Sequence, residues 1–116
     1  MLRTEAVIDL SAVEANVARL AAATFAQQTR AQVMAVVSAD GYGHGLLPCA
    51  RAALAGGATW LGTTTVDEAL MLRDAGITAP VLTWLWTPDD LPRAIAVEID
   101  LAVSGPGQLN AVRAAA

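Results

Sequence analysis

Short apolar runs alternate with stretches of helical spacing along almost the whole chain. Ala6-Val7-Ile8-Asp9-Leu10 reads as a strand that stops at Ser11. Ser11-x-x-Glu14 has the form of a capping box, in which hydroxyl and carboxylate satisfy orphan N–H groups of a first helical turn. Val13, Val17, Leu20 and Ala21 then recur at helical spacing, which predicts an amphipathic helix over 11–24. Val33-Met34-Ala35-Val36-Val37 is a continuous apolar run of the kind buried on both faces of a parallel sheet. It empties into Gly41, Gly43 and Gly45, after which Leu47, Ala50 and Leu54 mark the inner face of a helix from about Leu46 to Ala55, stopped by Gly56-Gly57.

The same unit then repeats. Trp60–Thr64 predicts a strand, and Thr65-x-x-Glu68 is a second capping box opening a helix that ends at Gly76. Pro80–Leu85 predicts the next strand, and Thr87-Pro88-Asp89-Asp90 combines a hydroxyl cap, an early proline and acids facing the helix dipole. Pro92 complicates the first turns of the helix that Leu91 and Ile95 continue. Ile99–Val103 is one more strand, and Ser104-Gly105-Pro106 begins a helix carrying Leu109 and Val112. Strands starting near 33, 60, 80 and 99 with a helix in each gap are successive βα units on a parallel sheet. The fold class is therefore α/β: about four βα units after an N-terminal strand and helix, a partial TIM-type (β/α) barrel. Its strand-to-helix loops gather at the C-terminal edge, where such folds bind ligands.

Length sharpens this picture. At 116 residues the chain fits one small domain and falls short of a closed eight-stranded barrel. The last helix has no Gly, Pro or polar stop, and four βα units leave two open strand edges. Residues 1–116 are thus expected to form a single truncated barrel domain.

Composition then narrows the function. Eleven acids and seven bases give a net charge of −4 with no basic stripe for nucleic-acid phosphates. No apolar stretch has the length of a membrane span or a signal-peptide core. One cysteine, Cys49, makes no internal disulfide, and no Cys/His cluster points to a metal, which suits a reducing cytoplasm. All seven bases are Arg, so no side chain can form an imine.

The candidate chemistry lies at Val36-Val37-Ser38-Ala39-Asp40-Gly41-Tyr42-Gly43-His44-Gly45, directly after a buried strand. Its three glycines permit positive φ and close backbone approach to a ligand, while Tyr42 and His44 offer a hydroxyl and an imidazole. This string resembles the cofactor loop of the alanine racemases, in which a valine-rich strand leads into Lys-Ala-Asp-Ala/Gly-Tyr-Gly-His-Gly. Ala6–Leu10 is similar to that family's opening strand, Trp60-Leu61-Gly62 to its next barrel strand, and Asp67–Ile77 to the following helix; Ile99–Ser104 continues the match.

The resemblance implies a pyridoxal-phosphate enzyme that interconverts L- and D-alanine on a TIM-type barrel, as a homodimer with a β-rich C-terminal domain. In that family the loop lysine bonds the cofactor aldehyde and then serves as one of two opposed bases. Ser38 stands at that position. A hydroxyl cannot replace the nucleophilic amine, and it is too weakly basic to take a Cα proton. Covalent attachment of pyridoxal phosphate is excluded by the absence of lysine. Tyr42 matches the tyrosine whose hydroxyl reaches the cofactor phosphate. The opposed tyrosine base, two arginines and most of the phosphate cradle lie downstream in that family and are expected to have no counterpart here, since Tyr42 is the sole tyrosine and the sequence runs to 116. By the same resemblance, the second half of the barrel and the β domain are expected to lie outside residues 1–116.

Plainer readings stand beside these. Ser38 can be a strand-end hydroxyl without a role, and His44 a locally bonded loop residue, since a lone imidazole makes no triad. Cys49 reads as a small core residue. Trp84 and Trp86 read as packing on one strand face, and the acid pairs Asp67-Glu68 and Asp89-Asp90 as caps. Three functions follow: a truncated, inactive member of the family; a module that binds pyridoxal phosphate or another small phosphate without covalent attachment; and a half barrel whose open edges pair with a second copy or an intact racemase.

Overall fold

The computed structural model describes residues 3–116. Helix α1 (Leu10–Ala26) is followed by strand β1 (Met34–Val36), helix α2 (Leu46–Gly56), strand β2 (Trp60–Thr65) and helix α3 (Val66–Asp74). Strand β3 (Val81–Leu85), a 3-10 turn (Pro88–Asp90), helix α4 (Leu91–Ala96), strand β4 (Asp100–Leu101) and helix α5 (Pro106–Ala115) complete the chain.

The four strands form one parallel sheet in the order β1-β2-β3-β4. Sequential order means that every crossover advances the same way, as in a barrel, whereas a doubly wound sheet reverses at a switch point. The core confirms this arrangement. Val37, Leu61, Val81 and Ile99 pack on Leu46 and Ala50 of α2, Ala69 and Leu72 of α3, and Ala94 of α4. A second cluster, Val17, Ala53 and Ala58, seats α1 against α2. Alternation along the strands places Met34, Val36, Gly62, Leu82 and Trp84 on the opposite face, where Val36 and Trp84 remain 43% and 38% exposed. Helices on one face and an open apolar surface on the other are the outer and inner sides of a barrel wall.

The expected N-terminal strand at 6–10 is absent. Residues 4–9 are exposed and pair with no strand, although β1 keeps one edge free among the described residues. Leu10 joins α1, and the capping box expected at Ser11 gives way to Asp9, whose Oδ1 accepts the Ala12 N–H at 3.2 Å. Pro92 leaves a 3-10 turn ahead of α4, which Thr87 and Asp90 close through the Thr87 N–H bond to Asp90 Oδ2 at 2.9 Å. Helix α5 starts at Pro106 with Gly105 before it, within the Ser104-Gly105-Pro106 start. The remaining helices and strands fall where their periodicity puts them, with shorter β1 and β4.

Two polar devices hold the wall together. Thr63 and Thr83, both fully buried, sit opposite one another on β2 and β3 with their hydroxyl oxygens 3.1 Å apart. At the other end of the strands the Arg73 guanidinium donates to four carbonyls, those of Ile77, Ala79, Val97 and Glu98, at 2.7–3.0 Å. It thereby joins the turn after α3 to the turn after α4.

Candidate functional site

At the end of β1 the backbone changes hand. Val37 still belongs to the sheet side, its N–H bonding Gly62 O at 2.9 Å. Ala39, Asp40 and Gly41 then adopt φ of 55°, 54° and 62° with ψ of 40–48°, and Tyr42 (φ 58°) and Gly43 (φ 84°) continue in the same region. Residues 39–43 are therefore a single left-handed turn, which Ser38 precedes. For L-residues this conformation costs roughly 1–2 kcal/mol each, and Asp tolerates it better than Ala or Tyr. Only Gly41 could stand at its place whatever the strain: a Cβ there would lie 2.9 Å from Cys49 Sγ.

Hydrogen bonds offset that cost. Gly41 N–H donates to Val37 O at 2.8 Å, and Gly43 N–H to Ala39 O at 3.0 Å. Gly45 N–H donates to Asp40 O at 2.8 Å. Asp40 Oδ1 accepts the Leu46 N–H at 2.8 Å, serving the start of α2, which has no cap from Gly45. Asp40 N–H in turn donates to Glu68 Oε2 at 3.2 Å, tying the turn to the start of α3.

Ser38 is buried at the base of this turn, whereas Tyr42 is 74% exposed at its far end. A groove of about 340 Å³ runs between α1, β1 and the turn, lined mainly by aliphatic side chains such as Val13, Val17 and Val36, with Tyr42 and His44 at its rim. Ser38 does not line it. Ser38 thus leads into the turn that carries Tyr42, but the two do not face a shared cavity. Burial and the nearby Asp40 carboxylate raise the Cys49 pKa, so this residue is a packed thiol without thiolate character.

Two residues do more than their sequence context implied. Glu68 uses one carboxylate oxygen beyond its own helix, on the Asp40 N–H. Trp84 lies on the open inner face over Gly62, while Trp86 follows the end of β3 and donates its indole N–H to Ala102 O at 2.7 Å. A glycine at position 62, on the strand next to the one that carries the aromatic, was the available signal for Trp84. Among the described residues no group of three His, Cys, Asp or Glu side chains converges as a metal site, and no helix is long and apolar enough to cross a membrane.

A parallel sheet in sequential order, with helices on one face and this loop at the end of its first strand, is the first part of a TIM-type barrel. The family described as alanine racemase, N-terminal domain, matches residues 8–116, and the chain belongs to that family. It is 54% identical over 116 residues to the alanine racemase of Frankia casuarinae, covering 99% of this chain and 29% of that protein. The alanine racemase of Thermobifida fusca is 55% identical over 109 residues, 93% of this chain and 28% of the relative. Among solved structures, the alanine racemase of D-cycloserine-producing Streptomyces lavendulae superposes with a TM-score of 0.84 at 52% identity, over 93% of this chain and 28% of the other. The chain spans under a third of the length of these relatives.

Proposed function

We propose that residues 1–116 correspond to the first part of an alanine racemase barrel, and that this chain by itself does not racemise alanine. The observation that carries the reading is Ser38: a buried residue with only a hydroxyl to offer, at the strand end where the family places its lysine, in a chain with no lysine at all. Pyridoxal phosphate, bonded through an imine, supplies the electron sink that acidifies Cα. The residues present do not fit that covalent role, and no step is derived through it. The opposed base and the rest of the phosphate cradle belong to the second half of the barrel and the β domain, which this segment does not contain.

Non-covalent contact is the remaining role for the loop. The Tyr42 hydroxyl reaches solvent and can donate to a phosphate oxygen. The adjoining groove is aliphatic and carries no Arg, so a dianion would sit at the rim and bind weakly. The reading goes with a cytoplasmic location, where the thiol of Cys49 stays reduced.

The experiment is an assay of the purified chain for D-alanine formed from L-alanine, with pyridoxal phosphate supplied. No turnover is expected; turnover free of contaminating enzyme would end the proposal. A parallel absorbance titration reads binding, and an unchanged cofactor spectrum at millimolar concentration would remove the Tyr42 contact.

A second reading, self-association, is favoured by the free edges of β1 and β4 and the exposed Val36 and Trp84. Two copies related by a twofold axis along the strands would bring four and four strands to the eight of a closed barrel. Mass in solution decides it: a folded monomer at high concentration would reject the pairing. The family's homodimer is a separate assembly that this reading does not require.

A further inference from the structure

Asp40 is the most heavily bonded residue of the left-handed turn. Its carbonyl accepts the N–H groups of Gly43 and Gly45, and its carboxylate accepts that of Leu46. Those partners lie within six residues and come with the loop. The fourth does not: the Asp40 N–H goes to Glu68 Oε2, twenty-eight residues away on α3. Glu68 is the third residue after Thr65, the place from which a glutamate ordinarily turns back to its own cap. Here its other oxygen, Oε1, lies 3.4 Å from Thr65 Oγ1, and Oε2 is left for the neighbouring loop. The register explains the meeting. Val36 pairs with Gly62, so the turn after β1 and the first turn of α3 after β2 emerge side by side at the C-terminal edge of the sheet.

We propose that Glu68 is a positioning residue for the 38–45 loop. Through the Asp40 N–H its carboxylate fixes the left-handed turn, and through the turn it fixes the place of the Tyr42 hydroxyl. The statement about the turn stands on the geometry alone; the consequence for a bound phosphate rests on the reading given under Proposed function. A carboxylate on a backbone N–H is a charge-assisted bond, stronger than a neutral one, and it acts at a residue whose φ would otherwise relax to negative values. Glu68 is half-buried and Asp40 exposed, so the bond is made at the protein surface.

Amide hydrogen exchange of Asp40 and Leu46, followed by NMR in the intact chain, tests this. Glu68→Ala is expected to lower the protection of the Asp40 amide roughly tenfold, the scale of one hydrogen bond to a charged acceptor. Glu68→Gln should restore most of it, since its amide oxygen accepts the same bond. Thr65→Ala, which removes the cap of α3, should lower the thermal midpoint while leaving Asp40 protected. The proposal is overturned if Glu68→Ala leaves Asp40 exchange unchanged, if glutamine gives no recovery, or if Thr65→Ala loosens the loop as much as Glu68→Ala does. The same variants, titrated with pyridoxal phosphate, report on Tyr42: weaker binding in Glu68→Ala than in Glu68→Gln supports the link, and equal binding breaks it. If the unaltered chain leaves the cofactor spectrum unchanged, the phosphate reading fails while the exchange data still decide the role of Glu68.

Discussion

The indole of Trp84 lies over the backbone of Gly62, so close that a Cβ added to the glycine would stand 2.6 Å from Cη2. Met34 Sδ, at 3.2 Å from the same point, closes the other side. Three adjacent strands therefore meet on the inner face through one missing side chain. Gly62→Ala is expected to destabilise the fold by roughly 1–3 kcal/mol, the usual cost of overpacking. Trp84→Leu in the same chain should recover part of the loss. Denaturant midpoints of the two variants check this, and strictly additive effects would contradict the contact.

Thr63 and Thr83 form the buried polar joint between β2 and β3. Thr83 Oγ1 donates to Thr63 O at 3.2 Å, and Thr63 Oγ1 to Thr65 O at 3.0 Å. Replacing either residue by Val breaks the contact between the two hydroxyls and one hydroxyl-to-carbonyl bond, at a cost of about 1–3 kcal/mol. Replacing both removes donors and acceptors together, so the double variant should lose less than the sum of the singles. Equilibrium unfolding of the four proteins gives the coupling directly.

Arg73 bonds four carbonyls from two turns, a fork that an ammonium cannot reproduce. Arg73→Lys should therefore behave like a loss, lowering stability by roughly 1–3 kcal/mol. Faster amide exchange in the turns after α3 and α4, with the 38–45 loop unaffected, is the expected local signature.

Acid should weaken the start of α4 through Asp90. The Thr87 N–H bond, with the neighbouring Arg93, holds the Asp90 pKa below its ordinary value of 3.8. A carboxylate whose folded pKa is depressed contributes stability that is complete above the unfolded value and is lost as pH falls through the folded one. Asp90→Asn is expected to flatten the fall in stability below about pH 4 while changing the slope at neutral pH little. Thermal midpoints measured across the acid range distinguish the two proteins.

Much of this wall is legible in residue patterns, for reasons that differ by element. The runs at 60–65 and 81–85 are apolar or β-branched and bounded by Gly, Pro or a capping Thr, so local chemistry sets both ends. Residues 6–10 carry the same apolar signature but stay exposed and pair with no edge, and Leu10 is taken into α1 instead. The loop's family likeness was readable; its handedness was not, because Ala39 and Tyr42 do not favour positive φ by themselves. Their conformation is imposed by Glu68 and by the start of α2, contacts that depend on the folded sheet. Trp84 escaped for a related reason. Alternation tells which face a ring takes, but not that a glycine on the next strand makes room for it.

The left-handed turn has a stereochemical consequence. A residue of D configuration prefers the backbone basin that Ala39 occupies at φ 55°, and Ala39 is exposed, so its methyl can be moved without displacing a neighbour. Inverting the α-carbon of Ala39 by chemical synthesis would thus relieve strain where the same inversion within α1 would break a helix. At this one site the chain is built as if from mirror-image amino acids.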